Sequence, residues 1–83
     1  MFEMFGIEPE MAENGLRIIE SYHRCELGRK MEKIGEPDLA AEDYDEALIL
    51  YRENKAAVKG LKRVIDKIQD PVYRRVLIKT RIN

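Results

Sequence analysis

Residues 40–68 carry the most regular pattern in the sequence, a seven-residue repeat of mostly apolar positions. One set of positions is Ala40, Ala47, Asn54, Leu61 and Ile68, and the interleaved set is Tyr44, Tyr51, Val58 and Ile65. Steps of three and four residues sustained over about four heptads are typical of coiled-coil-like packing. The repeat therefore predicts one helix over about 39–69, packed through a seam. The predicted seam, which would lie in the core or at a dimer contact, consists of Tyr44, Tyr51, Asn54, Val58, Leu61, Ile65 and Ile68.

Asn54 is the polar member of this seam. A polar residue at such a position often fixes register or the number of partners at some cost in stability. The alternative is that Asn54 faces a gap or water, and the sequence does not decide between the two.

A second helix is predicted to precede the seam, over about 9–34. Pro9 suits a first helical turn, while Gly35 and Pro37 end the helix. Steps of three and four place the following residues on one helical face, which we call the α1 stripe: Ala12, Leu16, Ile19, His23, Leu27, Met31 and Ile34. Ile18, Tyr22 and Cys25 widen this stripe, so it is expected to face the core.

The short connection at residues 35–38 favours antiparallel neighbours, and hence a long helical hairpin. Asp70-Pro71 should end the second arm and start a short helix over about 71–81, with Val72, Leu77 and Ile78 packed on the hairpin. The sequence thus predicts a single all-α domain over residues 1–83. A hairpin of this size leaves apolar surface uncovered, and a homodimer forming a helical bundle would cover it.

Charge is strongly uneven along the chain, although the net charge is only −1. Residues 36–51 contain six acidic residues and no basic one, whereas residues 52–83 contain ten basic and three acidic residues. The candidate acidic face is Glu42, Asp43, Asp45 and Glu46. The candidate basic face is Lys62, Arg63, Arg74, Arg75, Lys79 and Arg81. The acidic face is predicted to meet a basic surface on a protein partner, and the basic face to bind either phosphate backbones or a partner.

Catalytic, metal and cofactor sites have no sequence signal, so we predict no enzyme and no cofactor. His23 and Cys25 are two residues apart and do not share a helical face. We expect Cys25 to be a small buried apolar residue and His23 to be a partly buried structural one. No Cys/His cluster or glycine-rich phosphate loop is present in the sequence. The acidic N-terminus does not resemble a signal peptide, and no run is long and apolar enough to span a membrane, so a cytoplasmic location is expected.

The stretch VIDKIQDPVYRRVLIKTRIN, residues 64–83, resembles a segment of phage and prophage transcription regulators of the ArpU/RinA type. The matching residues are Val64, Ile65, Ile68, Asp70, Pro71, Tyr73, Arg74, Leu77, Arg81 and Ile82. In that family a helical region leads into a DNA-binding domain like region 4 of a sigma factor. The sequence ends at Asn83, where the helix-turn-helix would begin, and Ile82 stands where the family has tyrosine. The resemblance implies a regulatory phage protein without carrying over any DNA-reading residue.

The expected function is therefore a non-enzymatic, phage-type interaction module that regulates or inhibits a host protein, such as a nuclease or defence complex. The acidic face would carry that contact. The alternative is a DNA-binding transcription regulator that uses the basic face.

Overall fold

Helices make up the whole framework of the computed structural model, which describes residues 9–82 and their side chains from residue 15 onward. Four α-helices are present in that range: α1 (Pro9–Lys33), α2 (Pro37–Leu50), α3 (Lys55–Val64) and α4 (Pro71–Leu77). A 3₁₀ turn at Ile65–Lys67 extends α3, and a π-helical turn at Ile78–Ile82 extends α4. The predicted all-α class is confirmed, and no strand occurs in residues 9–82.

The predicted single helix over 39–69 is wrong, because the chain leaves the helical conformation between Leu50 and Lys55. Tyr51 is extended, with φ −145° and ψ 101°, and Asn54 begins the next helix as its N-cap. The Asn54 side-chain oxygen accepts a hydrogen bond from the Ala57 backbone N–H at 3.1 Å. Asparagine is among the best N-cap residues, and here that local bond is preferred to continuing the helix.

The end of α1 and the start of α4 lie close to those predicted. Gly35 adopts φ +81° after α1, and the Glu36 N–H bonds back to the Met31 carbonyl at 2.9 Å. This left-handed glycine ends the helix in the way that glycine usually does. At the start of α4, the Asp70 carboxylate accepts bonds from the Val72 and Tyr73 N–H groups at 2.9 and 3.2 Å, and Pro71 fills the first turn.

The core lies among the inner face of α1, α2, α3 and the end of α4. Its buried residues are Cys25, Ala40, Ala41, Tyr44, Ala47, Leu48, Ala57, Leu61, Val64, Ile65, Ile68 and Leu77. Of the predicted seam, Tyr44, Asn54, Leu61, Ile65 and Ile68 are buried, and Tyr51 and Val58 are half-buried. The seam is thus covered by other parts of the same chain.

The predicted core face of α1 is wrong for Leu16, Ile19 and Ile34, whereas Met31 packs against the core and Cys25 is buried in it. Leu16, Ile19 and Ile34 are 64%, 67% and 67% exposed, and His23 is exposed as well. Leu27 and Met31 are half-buried, while the side chain of Ala12 lies outside the described residues.

The buried face of α1 consists of small residues instead, Ser21, Cys25 and Gly28. The Ser21 hydroxyl donates to the Ala47 carbonyl at 2.6 Å and accepts from the Asn54 side-chain amide at 2.9 Å. Because both polar groups are satisfied inside the fold, burying this face costs little.

Tyr44 explains why this inner face is narrow. A Cβ at Gly28 would come within 2.8 Å of the Tyr44 ring, and one at Gly60 within 2.3 Å. The fully buried ring therefore lies between two glycines, one on α1 and one on α3. Gly15 has no atom within 4 Å of such a Cβ, so only one of these two α1 glycines is required by packing.

On α4, only one of the three residues expected to pack is buried. Leu77 is 1% exposed, whereas Val72 and Ile78 are 67% and 37% exposed. A seven-residue helix presents one narrow face to its neighbours, and Leu77 occupies it.

Candidate functional site: an acidic groove between α2 and α4

All four residues of the predicted acidic face line one open groove of about 380 Å³. Asp43 and Asp45 are half-buried in it, and Glu42 and Glu46 are exposed. Two further side chains complete the lining, Ile49 from α2 and Tyr73 from α4. Ile49 is 55% exposed, so the groove offers apolar surface beside its carboxylates.

Two arginines lie at the edges of this acidic groove. Arg24 of α1 pairs with Glu46 at 3.3 Å and approaches Asp43 at 4.0 Å. Arg81 donates from its Nε to the Asp45 carboxylate at 2.6 Å. The groove thus holds four carboxylates against two guanidinium groups, and it keeps an excess of negative charge.

The pKa values of groove residues reflect burial first and this excess of negative charge second. Burial, followed by the charges of Asp45, Glu42 and Asp38, raises the pKa of Tyr73 to about 12, despite the opposing charge of Arg81. Burial also raises the pKa of Asp43, with Glu46 adding to the effect and Arg24 opposing it. A site of this kind favours cationic groups that bring hydrogen-bond donors.

The predicted basic face is divided by the fold. Arg63 donates to Glu32 through two nitrogens, at 3.0 and 3.3 Å, and to the Tyr44 hydroxyl at 3.3 Å. Arg81 is held by Asp45, as described above. Arg63 and Arg81 therefore serve contacts within the chain. Lys62, Arg75 and Lys79 are exposed and Arg74 is half-buried, and none of these four forms an ion pair within residues 15–82.

Outside the groove, Glu32 joins three helices through its carboxylate. It accepts hydrogen bonds from Arg63 and from the Tyr44 hydroxyl, which links α1, α2 and α3. Partial burial opposes its charge, but these donors outweigh that effect and hold the pKa of Glu32 below its usual range. The same arrangement raises the pKa of Tyr44, through burial and the adjacent carboxylate.

Neither of the residues considered for reactive chemistry, Cys25 and His23, lines the groove. Cys25 is 4% exposed, and burial raises the pKa of its thiol, which disfavours the reactive thiolate. His23 is exposed rather than partly buried as expected. Across the described part of the chain, no group of three or more His, Cys, Asp or Glu residues is arranged to hold a metal ion. Nor does any described helix combine the length and apolar character needed to cross a membrane.

Sequence reasoning found the carboxylates of the groove but missed Arg24, Ile49 and Tyr73. Arg24 had a usable signal, since Arg17 and Arg24 are seven residues apart and lie on the same side of the helix, next to the small residues Ser21 and Cys25. Arg17 likewise reaches α2, donating to the Ile49 and Leu50 carbonyls at 3.4 Å. Tyr73 had no such signal, because its place depends on the turn that separates α3 from α4.

Comparison with protein-family models found no match, and neither did comparison with curated proteins or with solved structures. The resemblance to phage regulators of the ArpU/RinA type therefore stays a prediction, based on residues 64–83.

Proposed function

We propose that this protein is a non-enzymatic helical interaction module that regulates or inhibits a protein partner through the acidic groove. The observation that carries the proposal is the convergence of Glu42, Asp43, Asp45 and Glu46 on one groove with exposed apolar surface. Carboxylates steer a basic partner and fix its register, while the apolar side chain adds affinity. A host nuclease or defence complex, acting in the cytoplasm, is the specific form that the phage resemblance suggests.

The contact between Arg81 and Asp45 supports the kind of partner group involved. A guanidinium already occupies one carboxylate of the groove at 2.6 Å. An arginine of the partner would bind the same carboxylate with the same geometry, in competition with Arg81. The proposed ligand is therefore an arginine-containing, partly apolar protein segment.

The order of contacts along α1 and α2 supports the hairpin as the scaffold for this groove. Arg17 reaches Leu50, Ser21 reaches Ala47, and Arg24 reaches Asp43. Rising numbers on α1 meet falling numbers on α2, which is the order of an antiparallel pair.

Affinity purification from a host lysate, read by mass spectrometry, tests the proposal. The groove variant carries Glu42→Gln, Asp45→Asn and Glu46→Gln. The control carries Glu36→Gln, Glu53→Gln and Asp66→Asn, which remove the same number of exposed carboxylates outside the groove. We expect the wild type and the control to retain a common partner that the groove variant loses. Recovery of the same partner with all three proteins would contradict the proposal.

A second candidate function, nucleic-acid binding, is favoured by one observation. Lys62, Arg74, Arg75 and Lys79 make no ion pair within the described chain, so their charge is available for phosphate contacts. A mobility-shift assay at low salt on wild type and on a variant with all four changed to Gln tests it. Salt-dependent binding that weakens in the variant would support this function, and no shift for the wild type would exclude it.

A further inference from the structure

A second groove, of opposite charge to the first, runs along the C-terminal part of α1 and across to α3. It consists of three open hollows of about 300, 180 and 190 Å³. The first two share Arg29 and Lys33, and the second and third share Glu32, so the three adjoin one another. We call this feature the basic groove, and its charged lining residues are Glu26, Arg29, Lys30, Glu32, Lys33, Arg63 and Lys67.

The packing of α1 and α3 around one buried ring places a fixed ion pair in this groove. Gly28 of α1 and Gly60 of α3 both lie against the Tyr44 ring. One turn further along each helix, Arg63 pairs with Glu32 at 3.0 Å. Both members of the pair also bond to the Tyr44 hydroxyl, so the core fixes their position. The Glu32–Arg63 pair is therefore a neutral part of the lining.

The rest of the charged lining has an excess of positive charge. Its four cations are exposed, and none of them forms an ion pair within residues 15–82; they are Arg29, Lys30, Lys33 and Lys67. Glu26 is the carboxylate that opposes them. Four cations against one carboxylate give the basic groove a net charge of +3.

Helix dipoles reduce this charge only slightly. The C-termini of α1 and α3 contribute about half a negative charge each, and the N-terminus of α2 contributes about half a positive charge. Their sum is about half a negative charge. The same dipoles explain why Lys30 and Lys33 lie in the last turn of α1 without acidic partners. An anionic ligand therefore still meets an excess of positive charge.

We propose that the basic groove binds the phosphate backbone of double-stranded nucleic acid. The proposal does not depend on the acidic groove, which is formed by α2 and α4. It also names a different site from the predicted basic face, with which the basic groove shares only Arg63.

The composition of the lining favours phosphates over an acidic protein segment. Seven of its ten residues are charged, and the other three are Gly35, Pro37 and Val64. Val64 is only 2% exposed, so it offers no apolar contact. Protein partners bind mainly through apolar and aromatic anchors at the centre of the interface. Phosphate backbones instead bind to exposed Lys and Arg side chains by releasing counterions.

The spacing of the cations favours a duplex. Arg29 and Lys33 are four residues apart, which is about 6 Å along the axis of α1. A duplex carries one charge per about 1.7 Å of its axis, so several phosphates lie within reach of the groove in any register. Single strands are usually bound by stacking bases on exposed aromatic side chains, whereas this lining is charged. Contacts to phosphates alone make the binding independent of base sequence.

Fluorescence anisotropy with a labelled DNA duplex, at salt concentrations from about 50 to 200 mM, tests the proposal. The basic-groove variant carries Arg29→Gln, Lys33→Gln and Lys67→Gln. The control carries Lys62→Gln, Arg75→Gln and Lys79→Gln, which remove the same number of exposed cations from the predicted basic face. The two variants have the same net charge, so only the position of the lost charges differs.

We expect the plot of log affinity against log salt to have a slope of about −4 for the wild type and about −1 for the basic-groove variant. The control should keep the slope of the wild type. No binding by the wild type at the lowest salt concentration would overturn the proposal. Equal losses in the two variants, or a loss in the control alone, would overturn it as well.

Competition with an oligoglutamate peptide tests the choice of ligand. We expect the peptide to displace the duplex poorly, and displacement as effective as that by unlabelled duplex would show that the groove binds acidic proteins instead. The acidic groove is tested separately by capture from lysate. Failure of duplex binding therefore leaves the proposed function standing, and loss of the lysate partner leaves duplex binding standing.

Discussion

The two faces of α1 have opposite compositions, and the face with the smaller residues is the one inside. The inner face is Ser21, Cys25 and Gly28, and it contacts α2 and α3 through a buried hydrogen-bond network and the Tyr44 ring. The outer face carries Leu16, Ile19 and Ile34 of the α1 stripe, which are each about two-thirds exposed. Periodicity therefore located a real helical face, but not the side on which the core lies. The core lies on the side with small residues, because these allow the backbone of α1 to approach α2 and α3 closely.

The largest difference in stability should be between two leucine-to-alanine variants, one at a buried position and one at an exposed position. Leu61→Ala deletes a fully buried side chain on α3, whereas Leu16→Ala deletes one that is 64% exposed on α1. We expect Leu61→Ala to lower the free energy of unfolding by about 2–5 kcal/mol, and Leu16→Ala by less than about 0.5 kcal/mol. Urea unfolding at low protein concentration measures both. If the two substitutions lowered the free energy of unfolding by similar amounts, Leu16 would be buried as well, and the assignment of the inner and outer faces of α1 would be wrong.

Alanine substitutions at two glycines should change stability by smaller amounts and in opposite directions. Gly60→Ala would bring a Cβ within 2.3 Å of the buried Tyr44 ring, while Gly15→Ala meets no atom within 4 Å. Overpacking at Gly60 should cost about 1–3 kcal/mol. Gly15→Ala should gain up to about 1 kcal/mol, because alanine favours the helix. Thermal unfolding of the two variants reports both signs, and a stabilising Gly60→Ala would show that Tyr44 does not lie against α3.

The acid dependence of stability should be the smallest effect of the three. The folded pKa of Glu32 is lowered, so its ionised form stabilises the folded state above the ordinary value of 4.5. As the pH falls through the folded pKa, protonation removes that contribution. Glu32→Gln should therefore make stability less dependent on pH in this range. Glu26→Gln, on an exposed position of the same helix, is the matched control. If both variants behave like the wild type, Glu32 does not hold Arg63 and Tyr44 in solution.

Local chemistry was the part of the fold that the sequence predicted best. Gly35 and Asp70 act at helix ends through hydrogen bonds near in the chain, and Pro71 occupies the first turn of α4. The boundaries at these residues were predicted to within a few residues. The all-α class followed from the apolar periodicity in the same way.

Choices that depend on distant partners were not predictable from the sequence. Asn54 could continue the heptad seam or cap a new helix, and its bond to Ser21, 33 residues earlier, favours the cap. The same holds for Arg63 and Arg81, which a charge count assigns to a basic face. Both are bound to carboxylates that the fold brings beside them. Tyr73 joins the groove only because α4 turns back towards α2.

The reactivity of thiols on the two faces of α1 tests the central claim most directly. Cys25 is the only cysteine in the sequence and is 4% exposed, while Ile19 is 67% exposed on the opposite face. Labelling with a thiol reagent, at a concentration low enough to keep the protein monomeric, compares the wild type with an Ile19→Cys, Cys25→Ala variant. We predict that Cys25 reacts only at the rate of unfolding and that the cysteine at position 19 reacts at once. Rapid labelling of Cys25 together with protection of position 19 would contradict the account.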